Sequence, residues 1–401
     1  MRFPGYGIYH HEFDEARLTV TLWVRQISRH PTYTCGKCGV ERSDIGGCKE
    51  RQPIRDLSWG PWRVYLVVEV HRINCRACGV TTERIPFLAG KHPYTKRFCK
   101  AVARDCEDAS ARRVAAKWTL SHQTVSRIDK EALKTWSRGR KRRPLRQMGI
   151  DEVFWKSGRC ITIVSNLETG EPIWSGDSRK RETIDGFFRQ HLRGPRRQLV
   201  KAVCIDMWQP FIDSVKQHLP HAAIVFDKFH IMQYANRAVD ETRRHEFFRR
   251  GGTLRAAVRG KRWLFLRRWD KLGADERVEL GEVLRLNRPL MKAHILREQL
   301  DHLWEYTYEG AARRYFNNWV LSIRWQRLPA FKKLVGTLTR HLDGILAYCH
   351  HKVPFGVVEA INGNIRGVLR RGRGYTDHRY LILKVQRATY QIHREREQRA
   401  A

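Results

Sequence analysis

Acidic residues are the scarce class in this chain of 401 residues. Only 41 Asp and Glu face 77 Lys and Arg, a formal net charge of +36. So large an excess repels itself in a compact fold and points to a polyanionic partner. Long apolar runs are lacking too. No stretch approaches the ~18 consecutive apolar residues of a spanning helix, and the basic residues are spread along the chain instead of gathered on one amphipathic helix. A membrane surface is therefore the weaker partner and nucleic acid the stronger. Met1–Tyr9 has no apolar core of the signal-peptide kind, so a cytoplasmic protein is expected. Internal repeats and low-complexity tracts are absent. In that compartment the ten Cys are expected to be thiols or metal ligands, not disulfides.

What is present begins with Cys35-Gly-Lys-Cys38 and Cys75-Arg-Ala-Cys78, two CxxC knuckles each followed by a Gly, Gly39 and Gly79. Two such turns can place four thiolates around one Zn²⁺ in tetrahedral geometry. Four Cys leave no open coordination position, so the metal is expected to be structural. Unligated turns are the competing reading, and Cys48 is an alternative ligand. Arg63–Val70 is strand-like, so residues 1–93 read as a small zinc-binding domain containing a sheet.

Residues 94–136 read as helical. Thr95–Cys106 is one helix. Ser110–Trp118 follows with Ala111, Val114, Ala115 and Trp118 on one face. After a tight turn, Ser121 can cap a further helix with Val125 and Ile128 inward. That is the pattern of a helix-turn-helix. Its last helix presents His122, Gln123, Thr124 and Arg127 outward, which suits base edges and phosphates of double-stranded DNA. A hairpin that only packs is the competing reading. Residues 137–146 form a basic linker.

From residue 147 the pattern changes. Met148–Trp155, Cys160–Asn166 and Glu171–Ser175 are strand candidates, the last two separated by a Glu-Thr-Gly turn, so the three read as an antiparallel meander. A helix over Thr183–Leu192 leads to Val203–Ile205, a short apolar run ending in Asp206. After a helix-like segment, Ile224–Phe226 ends in Asp227. Runs this short and apolar read as strands buried on both faces. The order βββαβα, with acids on the first and fourth strands, is the plan of an α/β ribonuclease H-like fold. It brings Asp151 and Asp206 onto adjacent strands. Clustered carboxylates suit Mg²⁺, and two such ions ~4 Å apart can activate an oxygen nucleophile and neutralise a leaving oxygen in phosphodiester chemistry. Each acid alone also reads as a cap or a strand-end charge. Glu152 faces the other side of its strand. Asp227, beside His230, is either an auxiliary group or a local helix cap.

Residues 234–350 read as a helical insertion. Leu296, Leu300 and Leu303 fall on one face, and Trp263, Trp269, Trp304, Trp319 and Trp325 are expected mainly in its core. In residues 351–401, Glu359 lies on an amphipathic helix whose polar side carries Arg366, Arg370, Arg371 and Arg373, suited to phosphate. Glu359 is the acid available to complete the site.

Together the paired knuckles, the helix-turn-helix, GIDEVFWKSG, VCIDMWQPF, FDKFHIMQ and VEAINGNIRGVLRRGRGYTDHRY resemble the transposases of the ISL3 insertion-sequence family, over nearly the whole chain and in the family's order. The resemblance implies a ribonuclease H-like catalytic domain (147–233 and 351–401) interrupted by an all-helical insertion, after a zinc-binding head and a helix-turn-helix. It implies a DDE triad of Asp151, Asp206 and Glu359 holding two Mg²⁺, with Mn²⁺ able to substitute. It also implies binding to terminal inverted repeats, strand cleavage and transfer, a homodimer or larger synaptic assembly, and a nucleoid-associated bacterial protein. A DNA-binding regulator and a purely hydrolytic nuclease are the rival readings.

Overall fold

The computed structural model describes residues 3–50, 53–90, 92–140, 143–155, 159–249, 258–372, 375 and 377–400. The chain divides into two compact units, Met1–Arg140 with Arg371–Gly374, and Lys141–Arg370 with Tyr375–Ala401.

The first unit begins as a sheet. Strands β1 (Tyr6–Asp14), β2 (Thr19–Gln26), β7 (Arg63–Cys75) and β5 (Ile45–Glu50) lie side by side in that order. β6 (Ile54–Arg55) and β8 (Gly79–Thr82) also pair with β7, and β3 (Tyr33–Thr34) pairs with β4 (Glu41–Arg42). Alternation sets the inner face: Val20, Leu22 and Val24 of β2 and Val64, Leu66 and Val68 of β7 are buried together with Ile54, Ile85 and Leu88. Helices α1 (Lys96–Asp108), α2 (Ala111–Trp118) and α3 (His122–Arg138) follow. Their caps are Thr95, Ser110 and Ser121, each hydroxyl accepting from the backbone N–H three residues on. Val102, Val114, Val125 and Ile128 close a core of their own. Thr119 turns the chain between α2 and α3 in a left-handed conformation. The fully buried Asp56 ties sheet to helix, accepting from the Thr95 hydroxyl at 2.6 Å and pairing with Arg97.

The second unit is built on a five-stranded sheet in the order β11-β10-β9-β12-β13. β9 (Gln147–Trp155), β10 (Arg159–Asn166) and β11 (Glu171–Gly176) are antiparallel neighbours. β12 (Ala202–Ile205) runs parallel to β9, and β13 (Ala223–Phe226) parallel to β12. Between β11 and β13 lie α4 (Arg181–Gln190), α5 (Pro195–Gln198) and α6 (Gln209–His218). Met148 and Ile150 of β9 pack toward Phe187 and Phe188 of α4 and Phe211 and Val215 of α6. The alternate residues face the other way. Val153, with Ile161 and Ile163 of β10, packs on Ile361, Ile365 and Val368 of α15 (Phe355–Gly372) and on Leu381 and Val385 of α16 (His378–Ala400). The sheet is thus covered on both faces, which is why β12 and β13 are short uninterrupted apolar runs.

Between β13 and α15 the described residues are helical: α7 (Lys228–Arg249), α8 (Arg262–Leu266), α9 (Ala274–Leu286), α10 (Arg288–Asp301), α11 (Glu309–Arg324), α12 (Pro329–Arg340), α13 (Leu342–Leu346) and α14 (Tyr348–His351). Leu296, Leu300, Leu303, Trp304 and Trp319 are buried as their spacing and size suggest. Trp263, Trp269 and Trp325 correct the expectation of core placement. They are exposed, Trp325 to 80%. Arg262 and Arg324 lie against Trp263 and Trp325, cation against ring, so bulk there serves the surface. No described helix is long and apolar enough to cross a membrane.

Candidate functional site

Strand register assembles the acidic site. Gly149 of β9 is paired with Cys204 of β12, and Ile205 of β12 with Phe226 of β13. Two residues beyond the first pair, on neighbouring parallel strands, come Asp151 and Asp206. One residue beyond the second pair come Asp206 and Asp227. Partners in a parallel ladder share a face. Three carboxylates therefore stand side by side where the strands finish, a usual location for sites in open α/β sheets.

Local bonds set each carboxylate. Asp151 accepts from the Glu152 N–H at 2.8 Å, and Asp206 from the Met207 N–H at 2.6 Å. Asp227 accepts from the Phe229 N–H at 2.9 Å and so caps the start of α7. The first turn of α7 then brings His230 between the other two, Nε2 3.4 Å from Asp151 and Nδ1 3.9 Å from Asp206. Burial opposes protonation of His230, but contact with Asp151 and the charges of Asp151, Asp206 and Asp227 outweigh it and raise the ring to about 9. Burial pushes the Asp227 carboxyl up to about 6, with Asp151 and Asp206 adding to it against the pull of the Phe229 N–H and His230. The imidazolium is thus the local counter-charge to the cluster.

Glu359 stands apart from this group. It is exposed on α15, and among the described residues its carboxylate has no hydrogen bond or ion pair. One turn later on that helix, the buried Asn362 donates from Nδ2 to Oδ2 of Asp151. The preceding Val358 packs with Leu167, Ala202 and Cys204 beneath the same strands. The helix of Glu359 therefore docks on Asp151 and on the strands beneath it, while the glutamate forms no ligand set with the aspartates among the described residues. Among the described residues, only Cys35, Cys38, Cys75 and Cys78 form a set with ligand atoms near enough to share an ion, all within 4.8 Å of one another.

That cysteine set is well formed. Cys38 and Cys75 sulfurs are 3.6 Å apart. A tetrahedron with Zn–S near ~2.3 Å needs S···S of about 3.8 Å. Each knuckle turns through a left-handed glycine, Gly39 at φ 76° and Gly79 at φ 72°. The Cys38 N–H, then the Thr81 hydroxyl and the Lys37 N–H, draw the Cys35 thiol down to about 6. The Ala77 N–H lowers Cys75. Cys78 is held up to about 12, first by its hydrogen bond with Cys38. Backbone donors thus favour thiolates at Cys35 and Cys75, the two buried members of the set, while without a metal Cys78 holds its proton. Cys48 is exposed on β5 and lies outside the set.

A model described as a transposase, that of the ISL3 group, matches residues 148–385. The chain is 30% identical over 392 residues to the transposase for insertion sequence element IS1001 of Bordetella parapertussis, covering 96% of each. It is 26% identical over 376 residues to the transposase for insertion sequence element IS1557 of Mycobacterium tuberculosis, covering 87% of this chain and 84% of that one. The chain belongs to the ISL3 transposase family.

The remaining polar residues of the transposase are distributed as follows. His122, Gln123 and Arg127 of α3 are exposed, whereas the Thr124 hydroxyl is engaged by Ser121 in the helix cap. Arg366, Arg370 and Arg371 are exposed on α15, and Arg373 falls outside the described residues. Two groups at the acidic site escaped sequence reasoning. Asn362 looked like any polar residue of an amphipathic helix, although its i+3 spacing from Glu359 put it on a neighbouring part of the helix surface. Arg179 lies 3.4 Å from Glu152, and its guanidinium stacks 4.0 Å from the Trp208 ring centre.

Proposed function

We propose that this ISL3-family transposase binds the terminal inverted repeats of an insertion sequence and cleaves and joins DNA strands through a DDE triad of Asp151, Asp206 and Glu359. The observation that carries the reading is the lateral alignment of Asp151 and Asp206, with His230 bridging them and the Glu359 helix fastened to Asp151 through Asn362. The topology β11-β10-β9-β12-β13, with β10 alone running against the other four strands, supports a ribonuclease H-like catalytic domain. By this reading the helical segment 234–350 is an insertion in that domain, and residues 1–93 and 94–136 are a zinc head and a DNA-binding helix-turn-helix.

The donor set suits a hard divalent cation. It consists of carboxylate oxygens, partly open to water, and carries more negative charge than His230 alone neutralises. Of the two acids available as a third ligand, Asp227 is 5% exposed and already committed to capping α7. Glu359 is exposed and uncommitted. Two Mg²⁺ or Mn²⁺ ions held by Asp151, Asp206 and Glu359 would activate the attacking oxygen and neutralise the leaving one. The chain's own part is to aim the carboxylates. Asn362 holds Asp151, the Met207 N–H holds Asp206, and Arg366, Arg370, Arg371 and Arg373 offer cations to phosphates. His122, Gln123, Thr124 and Arg127 are proposed to read the element end, with Zn²⁺ on Cys35, Cys38, Cys75 and Cys78 keeping the head folded. Synapsis of two ends calls for a dimer or larger multimer.

Asp206→Asn tests this reading. It is expected to abolish strand cleavage of an element-end duplex in Mg²⁺ while binding to that duplex persists. Retained cleavage would remove Asp206 from the chemistry.

A further inference from the structure

One feature beside the acids is not used by the triad. Trp208 comes two residues after Asp206 and remains 37% exposed, yet its ring is pinned. Its indole N–H donates to the Arg179 carbonyl at 3.4 Å, and the Arg179 guanidinium lies 4.0 Å from the ring centre. Arg179 is anchored in turn by Glu152, the residue after Asp151, whose side chain is largely buried. Capping does not explain the ring, because Trp208, at the N-cap position before α6, makes no side-chain cap bond. Neither does burial.

A second aromatic–cation pair borders the same acids. On α7, His230, Tyr234 and Arg237 fall at i, i+4 and i+7 and so share a face. His230 touches Asp151 and Asp206, and the Arg237 guanidinium lies 5.1 Å from the Tyr234 ring centre. Asp206 and Arg179 are both near enough to act electrostatically on Tyr234. Alternating rings and guanidinium groups form the surface that holds single-stranded nucleic acid, rings taking base faces and cations taking phosphates. Inside a continuous duplex both faces of a paired base are covered by its neighbours, so an exposed, held indole gains a base face there where a step is unstacked or a base has left the helix.

We propose that Trp208, positioned by Arg179 and Glu152, is the stacking platform for an unpaired nucleobase next to the cleaved phosphate, and that Tyr234 and Arg237 continue the path of that strand. The inference rests on the metal-dependent cleavage reading above and adds that the DNA end must be locally melted at the site.

The test compares two duplexes carrying the element's own terminal repeat, one fully paired and one with two mismatched pairs at the cleavage junction, in Mg²⁺ with the full-length protein. Trp208→Ala is expected to slow cleavage of the paired duplex by about tenfold or more, the worth of one base–aromatic stack, and to cleave the mismatched duplex within about threefold of wild type. Trp208→Phe should restore most of the loss. A 2-aminopurine at the junction should brighten on opening and then be quenched by wild type but not by Trp208→Ala. Equal slowing of both duplexes, or no slowing of either, would overturn the proposal. Asp206→Asn on the mismatched duplex separates the two readings, since loss of cleavage there leaves the metal site standing whatever Trp208 does.

Discussion

The Asn362 side-chain amide donates to the Asp151 carboxylate across 211 positions of sequence. That bond joins α15 to the central strand β9 and leaves the other oxygen of Asp151 to the Glu152 N–H and His230. An amide is neutral, so it fixes the carboxylate without competing for its charge.

Removing that amide should damage catalysis more than folding. Orienting partners of metal ligands are typically worth about 10–100-fold in activity or metal affinity. Asn362→Ala is expected to lower Mg²⁺-dependent strand cleavage by about that range while leaving DNA-end binding near wild type. Steady-state cleavage against Mg²⁺ concentration checks it, and a raised Mg²⁺ requirement marks a positioning role. Unchanged cleavage at every Mg²⁺ concentration would make Asn362 a packing residue.

The cysteine cluster makes a separate forecast. One zinc per chain is expected by elemental analysis of the purified protein. Cys38→Ser should lose it and lower the melting temperature of the first unit. Because the sheet core of Val20, Leu66 and Ile54 is separate from the thiols, the loss should be partial unfolding around β7 and β8, seen as new hydrogen exchange at Cys75–Thr82.

Acid stability in the helical region follows from two buried groups. Burial lowers the His294 ring below its ordinary value of 6.5, so the folded state keeps it neutral. The unfolded chain binds that proton first. The contribution is therefore full above about pH 6.5 and declines as pH falls below it. Glu246 is depressed from its ordinary 4.5: burial works against the shift, but Arg249 at 3.0 Å and Asn287 at 2.7 Å outweigh it. Its contribution is full above about pH 4.5 and is lost as pH drops through the lowered value. Melting temperature should thus fall in two stages on acidification. His294→Leu should weaken the first stage and leave the second, and Glu246→Gln the reverse, with His341, His351 and Glu309, shifted in the same senses, supplying what remains.

Much of this architecture was legible because buried parallel strands leave a plain mark. AVCI and AIVF are short, wholly apolar and each followed by Asp, and the meander before them is punctuated by a Glu-Thr-Gly turn. The helix start at Ser121 was legible through its capping chemistry, whereas Thr95 and Ser110, read as first helical residues, are themselves caps. Strand β1 was not, because YGIYHHEFD is exposed along nearly its whole length and so carries no alternation. β7 reads as a strand only to Val70, although Arg72-Ile73-Asn74-Cys75 goes on alternating polar with apolar up to the knuckle and is strand. Tryptophan size says nothing of side, which is why Trp263 and Trp325 were misplaced. Asn362 and Arg179 depend on contacts between distant segments, and no local pattern marks such residues.

The third metal ligand is the point on which the account turns, because Asp227 stands beside Asp151 and Asp206 while Glu359 approaches from another helix. Anomalous scattering from crystals of the protein with an element-end duplex and Mn²⁺ decides it. Two Mn²⁺ peaks about 4 Å apart are expected, bounded by Asp151, Asp206 and Glu359, with Asp227 still capping α7. Peaks held by Asp151, Asp206 and Asp227, with Glu359 turned to solvent, would contradict it.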